Sequence, residues 1–145
     1  MIADLSVTPL RRIQNDKGDI YHALKCSEGS FSQFGEAYFS TVIPNEVKGW
    51  KKHIKMVMNL VVPEGAIRFV LYDDREDSRT YGQFYEVTLS ADNYCRLTVP
   101  AGIWMAFQGK GSALNLLLNI ASLEHDPLEA QTVSLDQYKY DWSSK

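Results

Sequence analysis

The chain has 145 residues, 45% apolar and 23% charged, enough to bury a core as a single domain over residues 1–145 without disulfide or metal staples. A formal net charge of −3 gives no basis for wholesale nucleic-acid binding, and no run reaches the ~18 apolar residues of a membrane span. Met1-Ile2-Ala3-Asp4 lacks the basic and apolar regions of a signal peptide, and two cysteines, Cys26 and Cys95, are too few for a disulfide framework. The expectation is therefore a cytoplasmic protein with two free thiols.

Taken in chain order, residues 5–13 form a mixed segment in which Pro9 suits an edge strand. The turn Asp16-Lys17-Gly18-Asp19 precedes a short strand over 20–24, and 29–35, rich in Gly, Ser and Phe, reads as a loop. Residues 37–43 are aromatic and β-branched. A continuous apolar run over 56–62 stops at Pro63-Glu64-Gly65, and 66–72 follows, which predicts a hairpin between the two. Residues 73–80 are a charged loop, and 83–89 alternate as a half-buried strand. The run over 96–99, the turn Pro100-Ala101-Gly102, the strand over 103–107 and the turn Gly109-Lys110-Gly111 complete this part. Residues 113–120 are almost wholly apolar and short, so they read as a buried central strand rather than a helix. Residues 90–93 and 128–130 are the only helical candidates. About nine strands and few short helices place the chain among all-β sandwiches and barrels.

Four cations, Lys48, Lys51, Lys52 and Lys55, crowd one short stretch of a mildly acidic chain, with His53 among them. Residues two apart on a strand share a face, so Lys51 and His53 are expected to point the same way. An ordinary imidazole titrates near ~6.5, which suits a general base, and nearby cations keep it neutral. The plain alternative for each is a solvated strand-end side chain. His22 follows the Lys17 turn and is a weaker cavity candidate; His125 reads as a loop residue. Three scattered histidines without clustered carboxylates make a poor metal signal. Asp73-Asp74-Arg75 reads as a salt-bridged turn, and Met56 and Met58 as core. The aromatic tail from Tyr138 to Trp142 has two readings, a cover over the barrel mouth or a contact with a partner subunit.

An ordered series of segments comprises Tyr38-Phe39-Ser40-Thr41, Val47-Lys48-Gly49-Trp50, Gly65 through Asp73-Asp74-Arg75, and Thr80-Tyr81-Gly82. It continues with Leu89-Ser90-Ala91-Asp92-Asn93, Val99-Pro100-Ala101-Gly102-Ile103-Trp104 and Asp141-Trp142. In order and spacing this series resembles the dTDP-4-dehydrorhamnose 3,5-epimerase family over roughly residues 16–142. The resemblance implies a cupin-type jelly-roll β-sandwich barrel, a homodimer, no metal and no cofactor. It also implies a nucleotide-linked 4-keto-6-deoxy sugar as substrate, with dTDP the expected nucleotide. The chemistry implied is proton abstraction beside a ketone, which needs a base, a proton donor and a group that stabilises the enolate.

Carried over residue by residue, the family's base position falls on Lys51, with His53 two residues later. Lys17 takes the place of the phosphate-binding cation in the early turn, Lys48 joins it as a substrate-binding cation, and Lys55 corresponds to the lysine that meets the keto oxygen. Tyr38 and Trp104 offer aromatic surfaces for sugar or nucleobase. The strand holding the family's catalytic tyrosine here reads Leu116-Leu117-Leu118-Asn119, with Asn119 the nearest polar residue. The aspartate that orients the family's base, downstream of Asp-Trp, has no counterpart. These changes favour a single epimerisation at C3 or C5, or a keto shift, with His53 as base and Lys51 or Lys55 stabilising the enolate. Water, Tyr38 and Tyr72 all remain open as the acid. The alternatives are a degenerate cupin that binds a nucleotide sugar or a protein without chemistry, and a structural subunit.

Overall fold

A computed structural model describes residues 1–143. Its strands are β1 (Ser6–Pro9), β2 (Arg12–Ile13), β3 (Ile20–Tyr21), β4 (Glu36–Thr41), β5 (Val47–His53), β6 (Met58–Glu64), β7 (Ala66–Asp73), β8 (Phe84–Ser90), β9 (Cys95–Val99), β10 (Ile103–Gly109), β11 (Leu116–Ala121) and β12 (Ala130–Thr132). Short 3₁₀ turns occupy Pro127–Glu129 and Leu135–Gln137. Two five-stranded antiparallel sheets form, ordered β1-β9-β6-β11-β4 and β12-β5-β10-β7-β8, with β2 and β3 as a separate ribbon. This is the all-β jelly-roll sandwich expected of the sequence.

Strand alternation builds the core between the sheets. Met58, Leu60 and Val62 of β6, Leu97 and Val99 of β9 and Leu117 of β11 meet Ile67, Phe69 and Leu71 of β7 and Ile103 of β10, all buried. Full burial of each such side chain contributes about 1.5–3 kcal/mol. The continuous apolar character of β7 has a second cause. Its outward residues, Val70 and Tyr72, lie under the chain's own C-terminal segment, where Val133, Leu135, Tyr138, Tyr140 and Trp142 pack with Trp50, Trp104 and Ala106. Arg68, also outward and buried, donates to Gln108 Oε1 (2.6 Å) and to the Trp142 carbonyl (2.7 Å). The aromatic tail thus covers the outer face of its own second sheet.

One expectation is corrected. Strands β6 and β7 are consecutive but do not pair: β6 lies between β9 and β11, and β7 between β8 and β10. Pro63-Glu64-Gly65 is a corner that carries the chain from one sheet to the other. Gly65 sits at φ +80°, and a Cβ there would lie 2.3 Å from the Leu114 carbonyl oxygen. Asn115 fastens the corner: its Oδ1 accepts from Ala66 N (3.0 Å) and Gly111 N (2.9 Å), and its Nδ2 donates to the Val42 carbonyl (3.1 Å). A tight turn between two apolar runs looks the same in sequence whether the strands stay in one sheet or change sheets. The expected strand over 113–120 is β11, internal to its sheet, with Asn119 and Leu117 facing inward.

Asp73, fully buried, accepts from Arg75 Nε (2.9 Å), Ser78 Oγ (2.6 Å) and Thr80 Oγ1 (2.7 Å). Burial alone would raise this carboxyl, but these donors hold it well below the usual carboxylate range. Arg75 also reaches Asp4 and the Ala3 carbonyl, which ties the first residues to this turn. No helix among the described residues is long and apolar enough to cross a membrane.

Candidate functional site

Strand β5 has two faces of different chemistry. Trp50 and Lys52 point outward; Lys52 Nζ pairs with Asp74 (3.0 Å) and lies 4.7 Å from the centre of the Trp104 ring. Lys51 and His53 point inward, into a cavity of about 330 Å³ between the two sheets. This is the shared face expected from their spacing. One wall of the cavity carries Lys48, Lys51 and His53 of β5, with Met105 and Phe107 of β10 beside them. The opposite wall carries Tyr38 and Ser40 of β4, Asn119 of β11 and Met58 of β6. Cations and imidazole on one side therefore face a phenol, a hydroxyl and an amide on the other.

His53 is largely buried, its side chain only 15% exposed, and its Nδ1 lies 2.7 Å from Glu129 Oε2. The other oxygen of that carboxylate accepts the backbone N–H groups of Lys55 (2.5 Å) and Met56 (2.8 Å). Burial raises the Glu129 carboxyl, but these N–H groups and His53 outweigh it and hold the group below its ordinary value. An ionised carboxylate only accepts hydrogen bonds, so the proton on the neutral imidazole sits on Nδ1 and the lone pair on Nε2. His53 is itself held below its ordinary pKa. Burial is the main cause, partly opposed by the hydrogen bond to Glu129 and reinforced by the Lys51 charge. Near neutral pH the site thus presents a neutral, oriented imidazole beside an ammonium group.

Glu129 is the candidate site residue that sequence reasoning misses. It stands 76 positions after His53 and arrives through the pairing of β12 with β5, in which Ala130 lies opposite His53. Asp126 caps the 3₁₀ turn by accepting from Leu128 N (2.9 Å), and this turn aims Glu129 at the end of β5. The only local trace is the pattern Asp126-Pro127-Leu128-Glu129, a helix-start signature that says nothing about a partner so far away.

Of the residues singled out from sequence, Tyr38, Lys48, Lys51, His53 and Asn119 come together in this cavity. Lys48 Nζ also donates to the Thr41 carbonyl (2.7 Å), and Asn119 Nδ2 to Ser40 Oγ (3.0 Å). Three others lie elsewhere. Trp104 pairs in register with Lys52, so it shares the outward face, where its Nε1 donates to Asp74 Oδ2 (2.6 Å). Lys55 lies past the end of β5 on the far side of Glu129, in a groove with Ile54 and Leu128. Lys17 stands exposed in its turn, its N–H held by Asn15 Oδ1 (3.1 Å). Neither His22 nor His125 reaches the cavity, and Tyr72 packs outward on Tyr138 and Phe84. Among the described residues, no three His, Cys, Asp or Glu side chains are grouped so as to hold a metal ion.

Comparison with known proteins matches residues 13–144 to a family model described as dTDP-4-dehydrorhamnose 3,5-epimerase. The crystal structure of a dTDP sugar isomerase from Desulfovibrio desulfuricans is 36% identical, with a TM-score of 0.95, over 99% of this chain and 94% of that one. A probable low-salt glycan biosynthesis epimerase of Haloferax volcanii is 27% identical over 127 residues, 86% of this chain and 81% of the relative. A spore coat polysaccharide biosynthesis protein of Bacillus subtilis is likewise 27% identical over 127 residues, 88% of this chain and 84% of the relative.

Proposed function

The chain belongs to the dTDP-4-dehydrorhamnose 3,5-epimerase family and is an enzyme of the nucleotide-sugar epimerase kind; we propose that it removes and returns a proton at one carbon beside the keto group of a dTDP-linked 4-keto-6-deoxy sugar. The observation that carries this reading is the His53–Glu129 pair, buried beside Lys51 at the wall of a cavity of sugar size. A ketone acidifies the neighbouring C–H only if the enolate oxygen is stabilised as it forms. His53 Nε2 takes the proton, and the Lys51 ammonium stands on the same face to meet the developing oxyanion. Lys55, on the far side of Glu129, is less suited to that task. Met58, Met105 and Phe107 offer an apolar lining for the unsubstituted C6 methyl. Lys48 is the cation for the diphosphate, and Asn119 offers an amide to a sugar hydroxyl.

A pre-oriented base has no use in a module that only binds, so the chemistry-free alternative has less support. A homodimer and a cytoplasmic setting belong to the same reading. Phe39 and Ile43, 63% and 70% exposed, give a second copy apolar surface to cover, and both cysteines are free. Gel filtration with light scattering tests the dimer.

The decisive experiment is a deuterium wash-in with dTDP-4-keto-6-deoxyglucose, followed at C3 and C5 by proton NMR. Exchange at one carbon is expected, and His53→Ala should abolish it while leaving dTDP binding nearly intact. Exchange that survives His53→Ala would refute the base; no exchange in the native protein would refute the chemistry.

A further inference from the structure

Epimerisation requires more than removal of a proton. If the group that takes the proton also returns it, the carbon exchanges with solvent and keeps its configuration. Inversion needs a second donor on the other face of the planar enolate. In this cavity the groups able to hold a mobile proton are unevenly divided. Lys48, Lys51 and His53 all stand on β5, on one wall. The sheet opposite supplies Tyr38, Ser40 and Asn119. An amide is no acid, and the Ser40 hydroxyl, which accepts from Asn119 Nδ2 (3.0 Å), is an aliphatic alcohol and a far weaker acid than a phenol. The Tyr38 hydroxyl has no hydrogen-bond partner among the described residues, and the backbone that carries it is fixed in the sheet. Tyr38 lies opposite Asn119 in the β4–β11 register, and its carbonyl accepts from Asn119 Nδ2 (3.4 Å).

Resting on the epimerase reading above, we infer that Tyr38 is the general acid, delivering a proton to the enolate carbon from the wall opposite His53. The C–H bond breaks as His53 Nε2 takes its proton, and the electron pair passes into the enolate with the oxyanion at Lys51. The enolate pair then forms a new bond to the Tyr38 proton on the other face, and the ketone returns. Water reprotonates the tyrosinate and takes the extra proton from His53, so atoms and charge balance over the cycle. Burial, followed by the negative charge of Glu36, pushes the Tyr38 phenol above its ordinary pKa, so it meets the enolate as a donor. The acid thus stands on β4, whereas the strand that the family resemblance points to, β11, has no tyrosine.

Tyr38→Phe tests it, because the ring is kept and only the hydroxyl is lost. In D2O with dTDP-4-keto-6-deoxyglucose, NMR reads two quantities separately: deuterium entering the substrate, and inverted product. Loss of a positioned acid slows its step by about 10²- to 10⁴-fold. Inverted product should therefore fall by that factor, while exchange with retained configuration continues within a few-fold of the native rate and the Kd for dTDP is unchanged. Inversion at the native rate would overturn the assignment. So would exchange that falls in parallel with inversion, since a residue that merely shapes the cavity affects both. If the native protein itself exchanges nothing, the epimerase reading falls first and the acid falls with it.

Discussion

Replacing Glu129 by Gln changes one atom for another of the same size, yet the consequence for His53 is large. The carboxylate has two distinct ends. Oε1 is held by the N–H groups of Lys55 and Met56, at 2.5 and 2.8 Å, and Oε2 by His53 Nδ1 at 2.7 Å. A glutamine must turn its carbonyl oxygen to the two backbone donors, because an NH₂ group there would leave both unsatisfied. Its NH₂ then faces Nδ1, which becomes an acceptor and sends the imidazole proton to Nε2, the nitrogen that the proposed mechanism needs as an acceptor. Losing the charge-assisted bond alone is worth about 1.5–3 kcal/mol, and each 1.36 kcal/mol is tenfold in rate. Carboxylate-to-amide change behind a catalytic histidine can reach about 10⁴-fold through the wrong tautomer. We expect kcat to fall by about 10²- to 10⁴-fold in Glu129→Gln, with KM within a few-fold of native. Steady-state turnover measures the fall, and ¹⁵N NMR of labelled His53 reads the tautomer directly. A kcat within about threefold of native, or Nδ1 still protonated, would refute this account of the dyad.

Two further outcomes follow from the structure. Since His53, as the proposed base, must be neutral to act and is held below its ordinary value chiefly by burial, kcat/KM should stay flat as pH falls to ~6.5 and decline only below it. The same sign applies to folding: the imidazole's share of stability is complete above ~6.5 and is lost as pH drops through the lowered native value, which urea unfolding at several pH values reads. Gly65→Ala meets a backbone at φ +80° and a carbonyl oxygen 2.3 Å from the new Cβ. It should cost about 2 kcal/mol or more, from the left-handed conformation and the crowding together. That corresponds to roughly 4–8 °C in Tm for a domain of this size, measured by calorimetry.

How much of the molecule is legible in the sequence depends on the range of the interaction. Strand runs and turns are local, and alternation by itself puts Lys51 and His53 on one face. The same parity, applied across strands, needs the register: Trp104 lies beside Lys52 rather than Lys51, so it points away from the cavity. Lys55 lies beyond the last residue of β5, where alternation stops. The hairpin expected at residues 63–65 fails because the sheet to which each strand belongs is decided by partners distant along the chain, β9 and β11 for one and β8 and β10 for the other. Glu129 escapes for the same reason. The tail carries a signal that is present in the sequence and easily passed over. Tyr138, Tyr140 and Trp142 alternate, and β7 is apolar on both faces, which together fit an extended segment lying on a sheet.

The strand that brings Glu129 to its histidine is three residues long, lies at a sheet edge and leaves Gln131 and Thr132 exposed. Short edge segments of this sort detach by themselves, at free energies well below that of the whole domain. Each detachment parts carboxylate from imidazole while both sheets remain closed. On warming, turnover is thus set to fade while the circular dichroism of the sandwich is still intact.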